Sequence, residues 1–230
     1  MMSDVESLTR ERGQERLHQP RSRHARCTEF NTTANARMAE STLTVLLPDA
    51  LFGRESVLNE ITWAYDYGAR SRNKWPVKHD NILVYVKNPA KYYFNSAEVD
   101  REPYMAPGLV TPEKVALGKL PTDTWWHTIV SPNGKEKTGY PTQKPLGILR
   151  RILQASSEPG DWVLDFFAGS GTTGAAAMEL DRKFLLVDQN PEAIEVMRAR
   201  LGAGTLGAAV NFVEFETETH APILDSASNQ

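Results

Sequence analysis

Hydrophobic and polar positions divide this chain into a polar beginning, a long patterned middle and a polar end. Residues 1–42 mix charged and small polar residues with only scattered large apolar ones, so this stretch is expected to be a disordered tail. Residues 216–230 are predicted to form an acidic, polar tail. The stretch from 43 to 215 carries apolar periodicity over most of its length, and it is long enough for a single core. The predicted organisation is therefore one folded domain with two tails.

The first part of the predicted domain has the pattern of an antiparallel hairpin over residues 60–87. Glu60–Tyr67 and Asn81–Lys87 are rich in β-branched and aromatic residues, and a polar loop joins them. Residues 88–138 show no sustained period and are interrupted repeatedly by proline, which predicts a long irregular region. Loops of such length are usually functional, so a binding role is expected there.

Residues 140–215 alternate between helical and strand patterns. Pro145–Ser156 is predicted to be an amphipathic helix, and an apolar strand that ends at Asp165 leads through a small-residue turn into a second helix. A further strand closes at Asp188, a helix with an asparagine cap follows it, and Ala208–Phe215 alternates as a last strand. Strands and helices that alternate with short connections predict an α/β fold, in which a parallel sheet has helices on both faces.

The turn after Asp165 has the composition of a ligand-binding turn. Gly169 and Gly171 have no Cβ, so backbone N–H groups at the start of the following helix can approach a ligand closely. Asp188 closes the next strand about 20 residues later, where a dinucleotide-binding fold holds a ribose diol. The turn lacks both the glycine spacing of nicotinamide binders and the lysine of triphosphate-binding loops. An adenosyl ligand without a pyrophosphate is therefore the favoured interpretation, and a purely structural turn is the alternative.

Charge changes this picture only locally. The formal net charge of −3 over 230 residues gives no general nucleic-acid footprint, so DNA contacts require local clustering of basic residues. The loop of the predicted hairpin provides such a cluster around Trp75, and its members are Arg70, Arg72, Lys74, Lys78 and His79. Basic side chains interleaved with an aromatic ring suit a phosphate backbone and an unstacked base. A solvated hairpin tip is the alternative.

Cysteine and histidine usage argues against several other classes of protein. The single cysteine, Cys27, excludes a disulfide within the chain and a cysteine-clustered zinc site. The five histidines show no metal-ligand spacing, so no metal is predicted. No apolar run reaches the ~18 residues that a membrane span needs, and the N-terminus has no signal-peptide core. The predicted location is cytoplasmic, without membrane contact.

Three segments together resemble the S-adenosylmethionine-binding half of the DNA amino-methyltransferases. They are Tyr140-Pro-Thr-Gln-Lys-Pro145, Asp165-Phe-Phe-Ala-Gly-Ser-Gly-Thr-Thr173 and Val187-Asp-Gln-Asn-Pro-Glu192. The first segment precedes the glycine turn, as in the permuted, or beta-type, subgroup, whose catalytic motif lies further toward the N-terminus. The resemblance extends from about Leu51 to Leu201. The family usually has proline where Phe166 stands.

The resemblance implies a cofactor, a reaction and a set of binding residues. The family transfers a methyl group from S-adenosylmethionine to N6 of adenine or N4 of cytosine in double-stranded DNA, on a base flipped out of the helix. The residues that match its cofactor motifs are Thr142, Lys144, Pro145, Asp165, Phe166, Phe167, Ala168, Gly169, Ser170, Gly171, Thr172 and Asp188. Among them, Thr142, the Lys144 ammonium and the helix start at Pro145 are expected to face the methionine carboxylate of the cofactor.

The resemblance also bears on DNA contacts. The segment Lys78-His-Asp80, which precedes an apolar strand, resembles the segment that the family has at the same position in its sequence order. This resemblance favours DNA as the ligand of the loop in the predicted hairpin. Residues 88–138 occupy the interval that reads the target sequence in the family, so a site-specific methyltransferase of restriction-modification or orphan type is expected. Trp125 and Trp126 in that interval are nevertheless expected to cap a core, because together they bury a large apolar area.

One motif of the family is missing. To free the lone pair of the exocyclic amine, the family uses an Asp/Asn/Ser-Pro-Pro-aromatic motif, and this chain contains no Pro-Pro pair. In the permuted order the motif should precede Leu43, so no catalytic residue is assigned. Three explanations remain open. The chain is a truncated product, or one part of a split enzyme whose motif lies on a separate chain, or a catalytically silent binder of DNA or S-adenosylmethionine.

The absence of the strands that carry the motif leads to two expectations. The chain alone should not methylate DNA, and the exposed edge of its partial parallel sheet should make it prone to self-association. A cytosine-C5 methyltransferase is disfavoured, because that reaction needs a cysteine nucleophile and Cys27 lies in the polar tail.

Overall fold

A computed structural model describes residues 27–32, 48–68 and 71–202 of the chain. The strands form two sheets, one of four strands and one of two, and both sheets pack against the same helices. A single hydrophobic cluster contains residues of both sheets and of two helices, including Trp63, Ile82, Ile148, Val163, Ala176 and Phe184. The domain is therefore a mixed α/β structure, as the sequence predicts.

The larger sheet contains a predicted hairpin and two additional strands. Its members are β1 (Cys27–Thr32), β2 (Val57–Ala64), β3 (His79–Val86) and β4 (Thr124–Trp126), in the order β1-β3-β2-β4. β2 and β3 are antiparallel, with Ile61 opposite Ile82, which confirms the hairpin. β4 runs parallel to β2. β3 is the central apolar strand, and its residues from Ile82 to Val86 are all buried.

β1 corrects the prediction that residues 1–42 form a disordered tail. Its 6 residues pair antiparallel with β3, from Cys27 opposite Val86 to Thr32 opposite Asn81. β2 occupies only one edge of β3, and a buried strand must also satisfy the N–H and C=O groups of its other edge. The need for a pairing strand comes from the backbone groups of β3, so the local composition of residues 1–42 could not predict β1. The rest of the tail, the acidic tail 216–230 and the predicted strand Ala208–Phe215 lie outside the described residues.

Residues 88–138 are largely irregular, as expected from their prolines. They contain a short 3-10 turn at Pro107–Leu109, the helix α1 (Pro112–Leu117) and the short strand β4. Neither the turn nor α1 has a buried residue. Most of this region therefore lies on the surface and not in the core. Its side chains are accessible to a ligand.

The second half of the domain has the predicted order of elements. It consists of α2 (Leu146–Ser156), β5 (Trp162–Asp165), α3 (Thr172–Glu179), β6 (Lys183–Leu186) and α4 (Pro191–Leu201). β5 and β6 are parallel, with Val163 opposite Phe184. α2 buries Ile148, Leu149 and Ile152, which confirms that it is amphipathic.

The described helices cover only one face of the smaller sheet. Val163 and Phe184 contact the cluster that contains α2 and α3, while Phe184 and Leu186 contact the cluster that contains Met197 and Leu201 of α4. The helices α2, α3 and α4 therefore lie on the same side of β5 and β6. The prediction of helices on both faces is wrong for the described residues.

The opposite face of the smaller sheet is apolar and exposed. Side chains alternate along a strand, so Trp162, Leu164 and Leu185 point away from the helices, and they are between 50% and 68% exposed. Phe166 and Val187 continue this surface and are also exposed. We call these five residues the bare face. Parallel strands are normally buried on both sides, so this surface is incomplete by the usual rules of sheet structure.

Candidate cofactor site and nucleic-acid surface

The loop between β5 and α3 has a conformation that favours glycine. Gly169 and Gly171 have φ angles of 49° and 71°, in the left-handed region where a Cβ causes strain. A Cβ on Gly171 would also lie 2.8 Å from Cγ of Met197, and one on Gly169 would lie 3.1 Å from the ring of Tyr140. The two glycines therefore allow the loop to fold tightly against α4 and Tyr140. We call residues 166–171 the glycine loop.

We expect Gly171→Ala to lower the free energy of unfolding by roughly 2–4 kcal/mol, because it combines an unfavourable φ with a steric overlap. Gly139→Ala is the matched control, since φ of Gly139 is 92° and a Cβ there meets no atom within 4 Å. Only the backbone cost of ~1–2 kcal/mol should remain in the control. Urea unfolding followed by circular dichroism measures both variants, and equal losses would contradict the steric role of Met197.

Asp165 organises the glycine loop from the end of β5. One of its carboxylate oxygens accepts a hydrogen bond from the backbone N–H of Phe167 at 3.0 Å, and the other accepts from Oγ1 of Thr173 at 2.6 Å. These bonds connect β5 to the first turn of α3. Asp165 therefore shapes the loop in addition to any contact it makes with a ligand.

Asp188 connects the ends of the two parallel strands. Its Oδ2 accepts from the backbone N–H of Gly169 at 2.8 Å, and its Oδ1 accepts from the N–H of Asn190 at 2.9 Å. Asn190 in turn caps α4 by accepting from the N–H of Glu192 at 3.0 Å. Each carboxylate oxygen has two lone pairs, so both can still accept a hydrogen bond from a diol. The glycine loop and the acidic strand end, which the sequence predicts to act together, are in direct contact.

The glycine loop presents aromatic rings outward and small residues inward. Phe166 and Phe167 are 61% and 91% exposed, whereas Ala168 and Ser170 are buried. The N–H of Ala168 donates to the carbonyl of Val187 at 3.1 Å, which fixes the loop against the end of β6. Exposed rings next to a left-handed backbone turn can border a flat ligand such as an adenine ring.

Arg200 of α4 also reaches the glycine loop and was not predicted as a site residue. Its Nη1 donates to Oγ1 of Thr172 at 2.9 Å and to the backbone oxygen of Ser170 at 3.3 Å. Burial lowers the pKa of the Arg200 guanidinium, and the nearby carboxylate of Glu136 opposes that effect. A basic residue in the last turn of a helix is common because it complements the helix dipole, so the sequence offered no special signal.

Lys144 lies beside the glycine loop but has a partner within the chain. Its Nζ is 2.9 Å from Oδ2 of the buried Asp80 and 5.2 Å from the centroid of the Trp63 ring. The hydroxyl of Tyr65 donates to Oδ1 of the same carboxylate at 3.3 Å, and burial together with the Asp80 charge raises the pKa of Tyr65. The Lys144 ammonium, which was expected to face the carboxylate of a ligand, thus already pairs with the carboxylate of Asp80 in β3.

The start of α2 binds a carboxylate as well. The N–H of Leu146 donates to Oε2 of Glu136 at 3.0 Å, while Thr142 is exposed and the buried Pro145 is the N-cap residue. The carbonyl of Lys144 accepts from Oγ1 of Thr172 at 3.0 Å, which holds this helix start against the glycine loop. The positive end of α2 is therefore next to the loop, as predicted, and Glu136 occupies it.

The loop between β2 and β3, residues 65–78, carries most of the predicted DNA-binding residues, and we call it the basic loop. Lys78 donates from Nζ to the carbonyl of Tyr67 at 2.8 Å, which braces the loop near its base. Trp75 in this loop is 94% exposed. Of the predicted residues, the structure describes Arg72, Lys74, Lys78 and the adjoining His79, whereas Arg70 lies outside the described part of the chain.

The basic loop projects from the end of the fold that contains the glycine loop. Asp80, which follows the basic loop in β3, pairs with Lys144. The backbone carbonyl of Lys144 in turn accepts a hydrogen bond from the hydroxyl of Thr172 at the start of α3. The structure thus brings the predicted cofactor residues together and places the base of the basic loop next to them.

The two adjacent tryptophans behave differently from each other. Trp125 is 7% exposed, belongs to the core, and its ring lies 5.0 Å from the guanidinium of Arg151. Trp126 is 75% exposed. The prediction that both cap the core is confirmed for Trp125 and wrong for Trp126, because neighbouring residues of a strand point to opposite faces.

Within the ranges that the structure describes, no helix is long and apolar enough to cross a membrane. Nor do these ranges contain a group of three or more His, Cys, Asp or Glu side chains arranged to hold a metal ion.

Comparison with known proteins gives a consistent set of relatives. A family model described as DNA methylase matches residues 26–199, so the match begins immediately before β1. The type II methyltransferase M.HpaI of Haemophilus parainfluenzae is 36% identical over 147 residues, which are 61% of this chain and 44% of that protein. The DNA adenine methyltransferase YhdJ of Escherichia coli K12 is 35% identical over 154 residues, which are 64% of this chain and 52% of that protein. The chain thus spans about half the length of the curated relatives it matches.

Solved structures agree with these relatives. The complex of M1.HpyAVI with SAM is 26% identical, has a TM-score of 0.53, and covers 76% of this chain and 74% of its own. The cytosine-N4-specific PvuII DNA methyltransferase has the same TM-score of 0.53 at 17% identity, covers 78% of this chain and 64% of its own, and shows similarity of fold. The predicted fold class, a partial Rossmann-like methyltransferase sheet of α/β type, is confirmed.

Proposed function

We propose, because this chain belongs to the DNA methylase family, that it forms the cofactor-binding and DNA-contacting half of a site-specific DNA methyltransferase. The enzyme transfers a methyl group from S-adenosylmethionine to N6 of adenine or N4 of cytosine in a base flipped out of double-stranded DNA. The observation that carries the proposal is the bond between Asp188 and the N–H of Gly169, which joins the two predicted halves of an adenosyl site. A restriction-modification or orphan role in the cytoplasm follows from this reaction.

The geometry of the glycine loop fits S-adenosylmethionine. The cofactor supplies an electrophilic methyl group when it is bound. Asp188 can accept hydrogen bonds from the ribose hydroxyls, and Phe166 and Phe167 border the space for the adenine ring. Positive φ at Gly169 and Gly171 gives the loop the tight turn that brings these groups together. The remaining predicted residues from Asp165 to Thr172 shape the loop that holds these groups.

The methionine carboxylate of the cofactor requires N–H groups or cations. The N–H of Leu146 already binds the carboxylate of Glu136, and Lys144 already pairs with Asp80. We infer that the cofactor carboxylate replaces Glu136 at the start of α2, while Lys144 stays with the buried Asp80 and keeps its positive charge nearby. The loss of a buried ion pair would cost more than the displacement of a carboxylate from a helix end.

Binding of DNA is assigned to the basic loop and to residues 88–138. Arg72 and Lys74 are exposed on the side of the fold that also carries the glycine loop, so phosphates can reach them while a base enters the site. The irregular residues 88–138 lie on the surface and are proposed to read the target sequence. The exposed Trp126 belongs to this region.

The bare face is proposed to receive a complementary region of the enzyme. The reaction needs acceptors for the hydrogens of the exocyclic amine, and this sequence has no Pro-Pro-aromatic segment to provide them. We assign these groups to a region that packs on the bare face, on the same polypeptide or on a separate chain. Full burial of a large apolar side chain contributes about 1.5–3 kcal/mol, so five such residues favour association. Without that region the same face favours self-association.

Titration calorimetry with the intact chain tests the cofactor assignment. S-adenosylmethionine and S-adenosylhomocysteine should both bind, because they share the adenosine and the methionine carboxylate. NAD and ATP should not bind, since the glycine loop offers no place for their phosphates. A folded chain that gives no heat with either adenosyl compound would refute the proposal.

Binding of DNA should depend on salt through the basic loop. We expect the joint variant Arg72→Ala, Lys74→Ala and Lys78→Ala to make the slope of log K against log salt less negative by roughly 2 to 3, or about 0.9 for each phosphate contact removed. The matched control is Arg54→Ala, Lys87→Ala and Lys183→Ala, which removes the same charge from exposed positions outside the basic loop and residues 88–138. Fluorescence anisotropy with a labelled duplex measures both slopes. If both variants make the slope less negative by the same amount, the basic loop has no special role in DNA binding.

A further inference from the structure

Trp75 is far more exposed than the tryptophans of the core. Its side chain is 94% exposed, whereas Trp63 is 1% and Trp125 is 7% exposed. An indole buries a large apolar area when it has a partner, and a fold gains nothing from keeping one in water. A tryptophan kept this exposed on a loop is therefore available for a partner outside the domain.

The basic loop holds Trp75 on a braced support. Nζ of Lys78 donates to the carbonyl of Tyr67 at 2.8 Å, and the N–H of Tyr65 donates to the carbonyl of Lys78 at 2.9 Å. Pro76, directly after the tryptophan, restricts the backbone next to the ring. A supported ring loses less conformational freedom on binding than a ring on a free loop.

The charge around Trp75 indicates the chemistry of its partner. Arg72 and Lys74 are exposed just before the ring, and the sequence from Gly68 to Lys78 contains no acidic residue. Nucleic acid presents an anionic backbone next to flat bases, so cations beside an indole match both parts of it. The charge argues against an apolar protein surface as the partner, because such a surface would leave the cations unpaired.

We propose that Trp75 is a positioning residue that stacks on an unpaired base of the bound DNA, while Arg72 and Lys74 contact the phosphates beside that base. This inference rests on the proposed function, because it takes DNA as the ligand. The basic loop projects from the same end of the fold as the glycine loop. A base stacked on Trp75 would hold the duplex open beside the base that enters the site, and it would share the cost of unstacking.

Three variants of the intact chain test the stacking role. Trp75→Ala removes the ring, and Trp75→Phe keeps a smaller aromatic face. Trp162→Ala is the matched control, because Trp162 is 68% exposed on the bare face, outside the basic loop and residues 88–138. The probes are a fully paired duplex and the same duplex with one extrahelical 2-aminopurine. Anisotropy gives the affinities, and the 2-aminopurine emission reports stacking directly.

Trp75→Ala should weaken binding to the duplex with the extrahelical base by roughly 5- to 100-fold, the range expected for one base–aromatic stack. Its salt slope should not change, because no charge is removed. Quenching of 2-aminopurine should disappear in Trp75→Ala and persist in part in Trp75→Phe, and Trp162→Ala should match the unaltered chain. If Trp75 had a purely structural role, quenching of 2-aminopurine would be the same in Trp75→Ala as in the unaltered chain.

The outcomes separate this inference from the function on which it rests. If the chain binds DNA with a salt dependence set by the basic loop but Trp75→Ala leaves affinity and quenching unchanged, the stacking role is refuted and the DNA assignment stands. If Trp162→Ala causes the same loss, the effect is not specific to Trp75 and the inference also fails. Absence of any salt-dependent DNA binding overturns both.

Discussion

Replacement of Asp188 by alanine is expected to reduce affinity for S-adenosylmethionine by roughly 10²- to 10⁴-fold. The variant removes two acceptors for the ribose hydroxyls, and charge-assisted hydrogen bonds contribute about 1.5–3 kcal/mol each. It also leaves the N–H groups of Gly169 and Asn190 without the carboxylate that orders the glycine loop. The variant would thus lose the acceptors for the ribose hydroxyls and also weaken the hydrogen bonds that hold the glycine loop in place.

Two further variants separate these contributions. Asp188→Asn keeps an oxygen that can accept from one N–H group but loses the charge, so its affinity should fall between those of the unaltered chain and Asp188→Ala. Glu192→Ala removes an exposed carboxylate from the first turn of α4, a few residues away, and should leave affinity unchanged. Calorimetry measures each affinity, and thermal unfolding shows whether the fold is retained. Unchanged affinity in a folded Asp188→Ala chain would exclude Asp188 from the cofactor site.

The sequence predicts the second half of the domain well because its signals are local. The residues from Asp165 to Thr172 join a strand to a helix within a few positions, and positive φ at Gly169 and Gly171 explains why glycine stands there. The acidic end of the next strand at Asp188 is also set by a short, regular connection. A fold read from periodicity is accurate where neighbours in sequence are neighbours in space.

β1 shows where this kind of inference fails. Cys27–Thr32 is a polar segment whose strand conformation is stabilised by pairing with the edge of β3, and the paired residues are more than 45 positions apart in sequence, as in Thr32 opposite Asn81. Local composition describes such a segment as a tail, because the backbone groups that pair with it belong to another strand. The register of β1 could be inferred only once β3 was known to have an open edge.

Partners within the site were equally hard to predict. Lys144 and Asp80 are 64 positions apart, and neither residue type signals the other. The prediction that Lys144 faces a ligand carboxylate identified the chemistry of the ammonium but not its partner. Arg200 lies 28 positions from Thr172 and resembles an ordinary residue of a helix end. Long-range polar contacts depend on how elements pack, and periodicity does not describe that.

The chain alone is expected to transfer methyl groups to DNA at a rate close to background, and a complementary region should raise that rate by at least roughly 10³-fold. The bound base needs acceptors for its amino hydrogens and a ring to hold it, and the sequence contains no Pro-Pro-aromatic segment to supply them. The measurement is incorporation of radiolabelled methyl groups into mixed-sequence DNA. The complement is a polypeptide that carries this motif.

The bare face provides a control for the site of assembly. Leu185→Glu places a charge on the bare face, so it should prevent restoration of activity while leaving cofactor affinity unchanged. Leu51→Glu is its match, because Leu51 is 65% exposed outside the bare face and residues 88–138, and Leu185 is 55% exposed on β6. If both variants are restored equally, the complement binds elsewhere. Robust methylation by the purified chain without any complement would show that the acceptors lie within this sequence, and the surface residues 88–138 would then be the place to search for them.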